Sequence, residues 1–148
     1  MYGVSRISSA DNIMLIGYND VEANFMPEML NKLADAGVVV DMICQTAPHG
    51  GRLQFSFTAA FEHFDTALKA LGGDKKAAPM ISGGYSKVYL FGEEMVESVG
   101  VAARALSALG AAGVAVSLIT TSDLDISLLV RQEDADVAIQ QLRDAFSI

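Results

Sequence analysis

Hydrophobic and polar positions follow the same order twice along this chain. Residues 13–17 and 88–92 each read as a short buried strand that ends at a glycine, and a polar loop follows each of them. The residues after the loops carry an apolar stripe at helical spacing: Met26, Met29, Leu30 and Leu33 in the first copy, and Val101, Ala102, Ala105, Leu106 and Leu109 in the second. Gly37 and Gly113 follow these stripes and predict the ends of the two helices.

The match between the copies continues beyond the helices. Residues 33–46 match 109–122, and 55–57 match 126–128, with the alternation of side chains that is typical of strands. A second helix face follows in each copy, formed by Phe61, Phe64, Leu68 and Leu71 in the first and by Ala135, Ala138, Ile139, Leu142 and Phe146 in the second. Each copy therefore reads β-α-β-β-α, and the Gly-, Ala- and Lys-rich residues 72–86 connect them.

Counting strands predicts how the copies are completed. A ferredoxin-like βαββαβ unit needs one strand more than each copy supplies. Residues 80–82 can provide it for the first copy, whereas the second ends at Ile148 with no strand after its last helix. Residues 4–8 are the unused strand. We therefore expect an α+β protein of two ferredoxin-like domains packed together, with domain 1 (residues 9–82) inserted into domain 2 (residues 83–148 plus 1–8).

Composition narrows the classes of partner. The net charge is −8 and the ten basic residues are scattered, which argues against a nucleic-acid partner. The sequence contains no apolar run of membrane-spanning length and no signal-peptide pattern, so we expect no membrane partner. The single Cys44 cannot form an internal disulfide, which fits a cytoplasmic location.

Three motifs carry a resemblance to a known family. Residues 92–102, GEEMVESVGVA, are similar to a G-x-G-M-x-x-x-P-G-V-A loop and helix start. Residues 119–127, ITTSDLDIS, are similar to an I-S-T-S-E-I-x-I-S strand pair, and residues 36–45, AGVVVDMICQ, to A-G-I-N-V-D-M-I-V-Q. With these motifs the chain resembles the tandem ACT-domain regulatory region of aspartokinase over nearly its whole length, and residues 4–7 resemble the strand that precedes the first ACT unit there.

The resemblance implies a regulatory and non-catalytic role. It implies the effector-sensing part of a lysine- or threonine-regulated aspartate kinase, or a free-standing relative of that part. In such a module an amino acid binds between ACT units and shifts an arrangement of subunits. The implied partners are a free amino acid, lysine or threonine, and either a second copy joined through the ACT sheets or a kinase catalytic chain. No cofactor is expected. Because nothing in the sequence resembles a kinase catalytic portion or its Gly-rich phosphate loop, we expect no enzymatic activity from this chain by itself.

The resemblance allows the positions of the family's effector contacts to be mapped one by one onto this sequence. Two pseudo-symmetric sites are expected where the copies meet. The resemblance implies effector contacts at Asp20, Asn24, Phe25, Met26, Val39, Val40, Asp41, Gln45, Ser98, Gly100, Ala115, Val116, Thr121 and Ser122.

The sequence departs from the family at several of these positions. The first loop, residues 20–24, lacks the proline and glycine of the family's D-x-P-G and has one extra residue, so we expect Asn24 to take the glycine's positive φ. Val39 and Ala115 replace amide side chains, and Val99 replaces the proline before Gly100. These changes leave a second hypothesis open, an ACT-type dimerisation module with a degenerate pocket that binds no amino acid.

Several other residues are of types that could bind ions or react, but each has a simpler structural interpretation. Residues 49–52, HGGR, predict a hairpin turn between strands rather than an anion site. His63 has no metal-ligating neighbour at a suitable spacing, so no metal site is expected, and Cys44 is predicted to be a buried filler. A ferredoxin-like phosphatase would need an Arg on the loops after Gly17 or Gly92, and neither loop has one.

Overall fold

The computed structural model describes residues 2–148 and divides them into two compact units. The first unit is Asn12–Gly83, and the second joins residues 2–11 to Gly84–Ile148. The first unit is thus inserted between two parts of the second, as the strand count predicts. The divisions fall before residues 12 and 84, whereas the sequence pattern placed them before 9 and 83.

The first unit is a sheet covered by two helices. Its elements, in chain order, are the part of β1 (Arg6–Glu22) from residue 12 onward, α1 (Phe25–Asp35), β2 (Ile43–Gln45), β3 (Arg52–Ala60), α2 (Phe64–Leu71) and the first residues of β4 (Met80–Phe91). The strand order is β2-β3-β1-β4, and β3 is antiparallel to both of its neighbours. This is the order of a ferredoxin-like βαββαβ unit.

Aromatic rings form the centre of the first unit's core. The ring centroid of Tyr18 lies 5.1 Å from that of Phe25 and 5.1 Å from that of Phe55. Helix α1 adds Met29 and Leu33, which are fully buried. Full burial of one such side chain contributes about 1.5–3 kcal/mol, so this cluster holds the start of α1 firmly against the sheet.

The second unit repeats the arrangement. After the opening residues of β1 and the rest of β4, it contains α3 (Val101–Ala111), β5 (Val116–Thr121), β6 (Asp125–Arg131) and α4 (Ala135–Phe146), with strand order β1-β4-β6-β5. Val4 and Ile7 belong to its core, and the Ser5 N–H donates to the Phe91 carbonyl at 2.8 Å. The prediction that the N-terminal strand closes the second sheet is therefore confirmed.

The predicted separation of the short strands is wrong. Residues 4–8 and 13–17 fall largely within one 17-residue strand, β1, and residues 80–82 and 88–91 fall within one 12-residue strand, β4. Residues 8–12, SSADN, are mostly polar and resemble a loop in sequence. A strand is nevertheless held by hydrogen bonds between backbones, which do not require apolar side chains. Asn12 (φ 57°) and Gly84 (φ 80°) take left-handed conformations at the places where the chain passes between units.

The strand predicted after α1 is also shorter than expected. Regular pairing is confined to Ile43–Gln45, although the Asp41 N–H donates to the Thr58 carbonyl at 2.9 Å. The Met42 N–H instead donates to the Thr58 hydroxyl at 3.0 Å. A side chain thus replaces a backbone acceptor, which interrupts the ladder just before β2.

Two burial predictions in the first unit are corrected. Cys44 is exposed, because β2 lies at the edge of the sheet. The helix that was expected to bury Phe61 and Leu68 begins at Phe64 and buries Ala67 and Leu71. Phe61 belongs to a preceding 3₁₀ turn, whose shorter period takes it out of register with the buried face of α2. Both Phe61 and Leu68 are exposed.

The hairpin predicted at residues 49–52 is confirmed. His49 and Arg52 exchange backbone hydrogen bonds of 2.8 and 3.1 Å. Gly50 (φ 62°) and Gly51 (φ 76°) supply the two left-handed residues that a type I′ turn requires. None of the helices within residues 2–148 has the length and hydropathy needed to cross a bilayer.

Candidate functional site

The start of helix α3 forms one side of the candidate site in the second unit. The chain leaves β4 at Gly92, makes a 3₁₀ turn over Glu93–Glu97, and enters the helix through Gly100 at φ 81°. The first helical hydrogen bond runs from the Arg104 N–H to the Gly100 carbonyl at 2.9 Å. The three N–H groups before Arg104 precede that bond and have no acceptor within the helix, and no described side chain caps them. This end of the helix therefore favours a negative group.

The turn between β5 and β6 forms the opposite side. The Ser122 N–H donates to the Asp125 carbonyl at 2.9 Å, and the Ser122 hydroxyl accepts the Leu124 N–H at 3.3 Å. Ser122 thus both closes the turn and fixes its shape. The neighbouring Thr121 and Asp123 are exposed.

These two sides line a shallow, open cavity of about 350 Å³. Four of the implied effector residues line it, Ser98, Gly100, Thr121 and Ser122. The other lining residues were not predicted from the sequence; they are Met95, Val96, Val101, Ala102, Ala103, Asp123 and Ile126. Asp123 adds a carboxylate, and the motif at 119–127 contained the signal for it because Asp123 aligns with the acidic residue of I-S-T-S-E.

Two implied effector residues of the second unit lie outside the cavity lining. Ala115 is exposed just before β5. Val116 is half-buried and packs against the core of the second unit. Neither side chain lines this cavity.

The corresponding loop of the first unit has a different geometry. Asn24 precedes α1 at φ −75°, so the predicted positive φ there is wrong. The left-handed residue is Asp20 at φ 48°, inside β1, where the register of pairing shifts between Tyr18 and Val21. This register shift is a β-bulge, so the left-handed residue of this stretch lies in the strand and not directly before the helix.

Asp20 and Phe25 already have partners within the first unit. The Arg52 Nε donates to the Asp20 Oδ1 at 2.8 Å, and the Arg52 guanidinium also donates to the Asp20 carbonyl. The Asp20 side chain is 80% exposed, so solvent screens this ion pair and its energy is small. Phe25 packs in the aromatic core, and Met26 is half-buried beside it.

A separate cavity of about 250 Å³ lies at the start of α1. It brings Asn24 and Phe25 together with Val21, Glu22, Arg52, Lys76 and Ala77. Lys76 also reaches Glu28 at 3.4 Å, and Lys32 pairs with Asp74 at 3.2 Å, so residues 74–76 are joined to α1. The Lys76 backbone N–H, followed by Lys32, lowers the pKa of Asp74, which keeps this carboxylate charged.

The remaining implied residues of the first unit lie outside both cavities. Val39 is 78% exposed, whereas Val40 is half-buried against the first core. Asp41 and Gln45 are exposed, and Gln45 pairs with Phe55 in the ladder. Within residues 2–148, no three His, Cys, Asp or Glu side chains converge to hold a metal ion.

Comparisons with known proteins agree with the fold. The family model for the ACT domain matches residues 88–146. The aspartokinase of Mycobacterium tuberculosis is 30% identical over 99% of this chain, and the match spans 36% of that protein. The chain therefore spans about a third of the length of the curated relatives it matches.

Two solved structures match the chain from end to end. A crystal structure of aspartokinase alpha and beta subunits superposes with a TM-score of 0.87 at 30% identity, covering 98% of this chain and 99% of that one. The ligand-free regulatory subunit of aspartate kinase from Thermus thermophilus gives 0.88 at 25% identity, covering 97% and 99%. The 148 residues thus correspond to the regulatory part of these enzymes and not to the kinase part.

Proposed function

Because the chain belongs to the tandem ACT-domain regulatory regions of aspartate kinases, we propose that it binds free lysine or threonine and regulates a kinase by doing so. One observation carries the proposal. Four implied effector residues, distant in sequence, line a single cavity at the uncapped start of α3.

The cavity offers the groups that a free amino acid needs. The N–H groups of residues 101–103 suit the α-carboxylate, since they are unpaired within the helix and lie at its positive end. Asp123 supplies a carboxylate for the ammonium group. Met95, Val96 and Ile126 give the side chain of the ligand an apolar wall.

The two units are unequal in this proposal. The second unit keeps the left-handed glycine before its helix, whereas the first replaces it with Asn24 in a right-handed conformation. The Asp20 carboxylate of the first unit accepts from Arg52. We therefore assign the principal effector site to the second unit.

Regulation requires a partner that responds to binding. The similar structures of aspartokinase alpha and beta subunits and of a regulatory subunit of aspartate kinase support a regulatory chain that works as one subunit of a larger enzyme. The proposal includes such a chain, or a second copy of this one, as the partner. An effector that binds one arrangement of the subunits more tightly than another raises the population of the arrangement that it binds more tightly.

A thermal-shift panel of free amino acids tests the binding step. Lysine or threonine at millimolar concentration should raise Tm by about 2 °C or more, because a ligand that binds the native state stabilises it. Thr121→Ala and Ser122→Ala should reduce the shift, and Ser117→Ala, an exposed position on the same strand, should retain it. A full shift in both site variants would refute the site while leaving the function standing.

An interaction module remains the second candidate function. It is favoured by the loss of the family's loop glycine in the first unit and by the ion pair that engages Asp20. A panel with no shift from any amino acid, together with a stable dimer in sedimentation, would select this alternative.

A further inference from the structure

The N-terminal residues 2–5 run directly beside the loop that forms the candidate effector cavity. Gly92 lies so close to the Gly3 carbonyl that an added Cβ would stand 1.7 Å from that oxygen. A Cβ on Gly3 would in turn stand 2.7 Å from the Ser98 Oγ and 3.3 Å from Val101. At Gly92 backbone therefore packs on backbone, and at Gly3 the backbone packs directly on the side chains of the cavity wall, with no room for a further methyl group.

Both ends of this segment are held in place. At one end the Arg104 guanidinium lies 3.7 Å from the centre of the Tyr2 ring, and Arg104 also donates to the Ala145 carbonyl at 3.3 Å. At the other end Val4 is fully buried and the Ser5 N–H donates to Phe91. Tyr2 adopts φ 53°, a conformation that costs energy outside glycine and asparagine, so the contact with Arg104 holds a conformation that the chain does not favour locally.

Ser98 is shared by the segment and the cavity. It lines the effector cavity, touches Gly3, and donates its hydroxyl to the Glu94 carbonyl at 2.8 Å. A second cavity of about 220 Å³ is lined by Gly3, Val4, Ser5, Phe91, Glu93 and Glu94. This second cavity leaves open space beside both the segment and the loop.

From these contacts we propose that residues 2–5 form a strap whose position is coupled through Ser98 to occupancy of the effector cavity. This inference rests on the proposed function for the identity of the ligand. A ligand that fixes Ser98 selects one position of the strap. By reciprocity of linkage, the strap position that the ligand selects is also the position that binds the ligand more tightly, so a change that loosens the strap alters ligand affinity.

The first arm of the test needs no ligand. Tyr2→Ala removes the ring that lies over Arg104, and Tyr2→Phe keeps it. Amide hydrogen exchange followed by NMR should be faster in Tyr2→Ala at Ser5 and also at Ser98, whose N–H donates to Met95 at 3.1 Å. Tyr2→Phe and Val137→Ala, an exposed change on α4, should resemble the wild type. Faster exchange at Ser5 with no change at Ser98, Gly100 or Val101 would overturn the coupling.

The second arm measures affinity by calorimetry with lysine and with threonine. Tyr2→Ala should change Kd by about threefold or more, which is the scale on which substitutions outside a site alter coupling. An unchanged Kd in Tyr2→Ala would refute the strap while leaving the proposed function intact. If neither amino acid binds the wild type, the proposed function fails, and the exchange data then decide whether the strap is coupled to the cavity wall. Gly3→Ala, which presses directly on Ser98, provides a second variant for both arms.

Discussion

At the scale of single residues, burial in the first unit raises the pKa of one tyrosine, Tyr18. Tyr18 is 1% exposed, and its hydroxyl donates to the Met29 Sδ at 3.4 Å, a weak acceptor. Burial, with a smaller effect from the Asp74 charge, raises the pKa of Tyr18 from 10.0 to about 12. The neutral phenol is therefore the form that the folded state requires.

We expect alkaline pH to destabilise the protein through Tyr18. The stability that its raised pKa contributes is complete below pH 10.0 and is lost as pH rises through about 12. A shift of this size corresponds to about 3 kcal/mol. Urea unfolding between pH 9 and about pH 12 should show a smaller decline in Tyr18→Phe than in the wild type or in Tyr2→Phe. Equal declines in all three proteins would contradict this assignment.

At the scale of elements, the two helix starts differ although their sequence patterns match. Helix α3 begins after a left-handed glycine, whereas α1 begins after a right-handed asparagine and β1 bulges at Asp20 instead. The apolar stripes of α1 and α3 were readable from local spacing, since helix periodicity is a local property. The bulge was not, because it depends on the pairing of β1 with β3, some 30 positions away.

A pair of glycine variants tests the contacts of these elements. Gly92→Ala should destabilise the protein by about 1–3 kcal/mol or more, because the new methyl group would meet the Gly3 backbone. Gly110→Ala on α3 has open space around it and should stabilise by about 0.5–1 kcal/mol. Chemical denaturation measures both. A neutral Gly92→Ala would mean that the strap does not press on this loop.

At the scale of the whole molecule, the second unit is made from two distant parts of the chain. Val4 and Ile7 complete a core whose other members begin at residue 88. The first unit takes its core residues from 14–71, so its buried cluster does not depend on the N-terminal residues. The composition of the two cores therefore predicts unequal responses to truncation.

Deletion of residues 1–8 should unfold or loosen the second unit selectively. The loss of Val4 and Ile7 from its core removes about 3 kcal/mol or more of apolar burial. Hydrogen exchange by mass spectrometry should show faster exchange in peptides from 84–148, with smaller changes in those from 12–83. Deletion of the exposed residues 147–148 is the control. Equal loss of protection in both ranges would argue against separate cores.

The sequence by itself determined the repeat, the helix stripes, the inserted order of the units and the loop that begins at Gly92. Each of these follows from local periodicity, strand counting or a contiguous motif. Only the tertiary structure decided that the short strands are continuous, that Cys44 is exposed and that Asp123 lines the cavity. It also brought Gly3 against Ser98. These features depend on which distant segments pack together. The pattern of side chains along one segment does not determine which other segment it contacts.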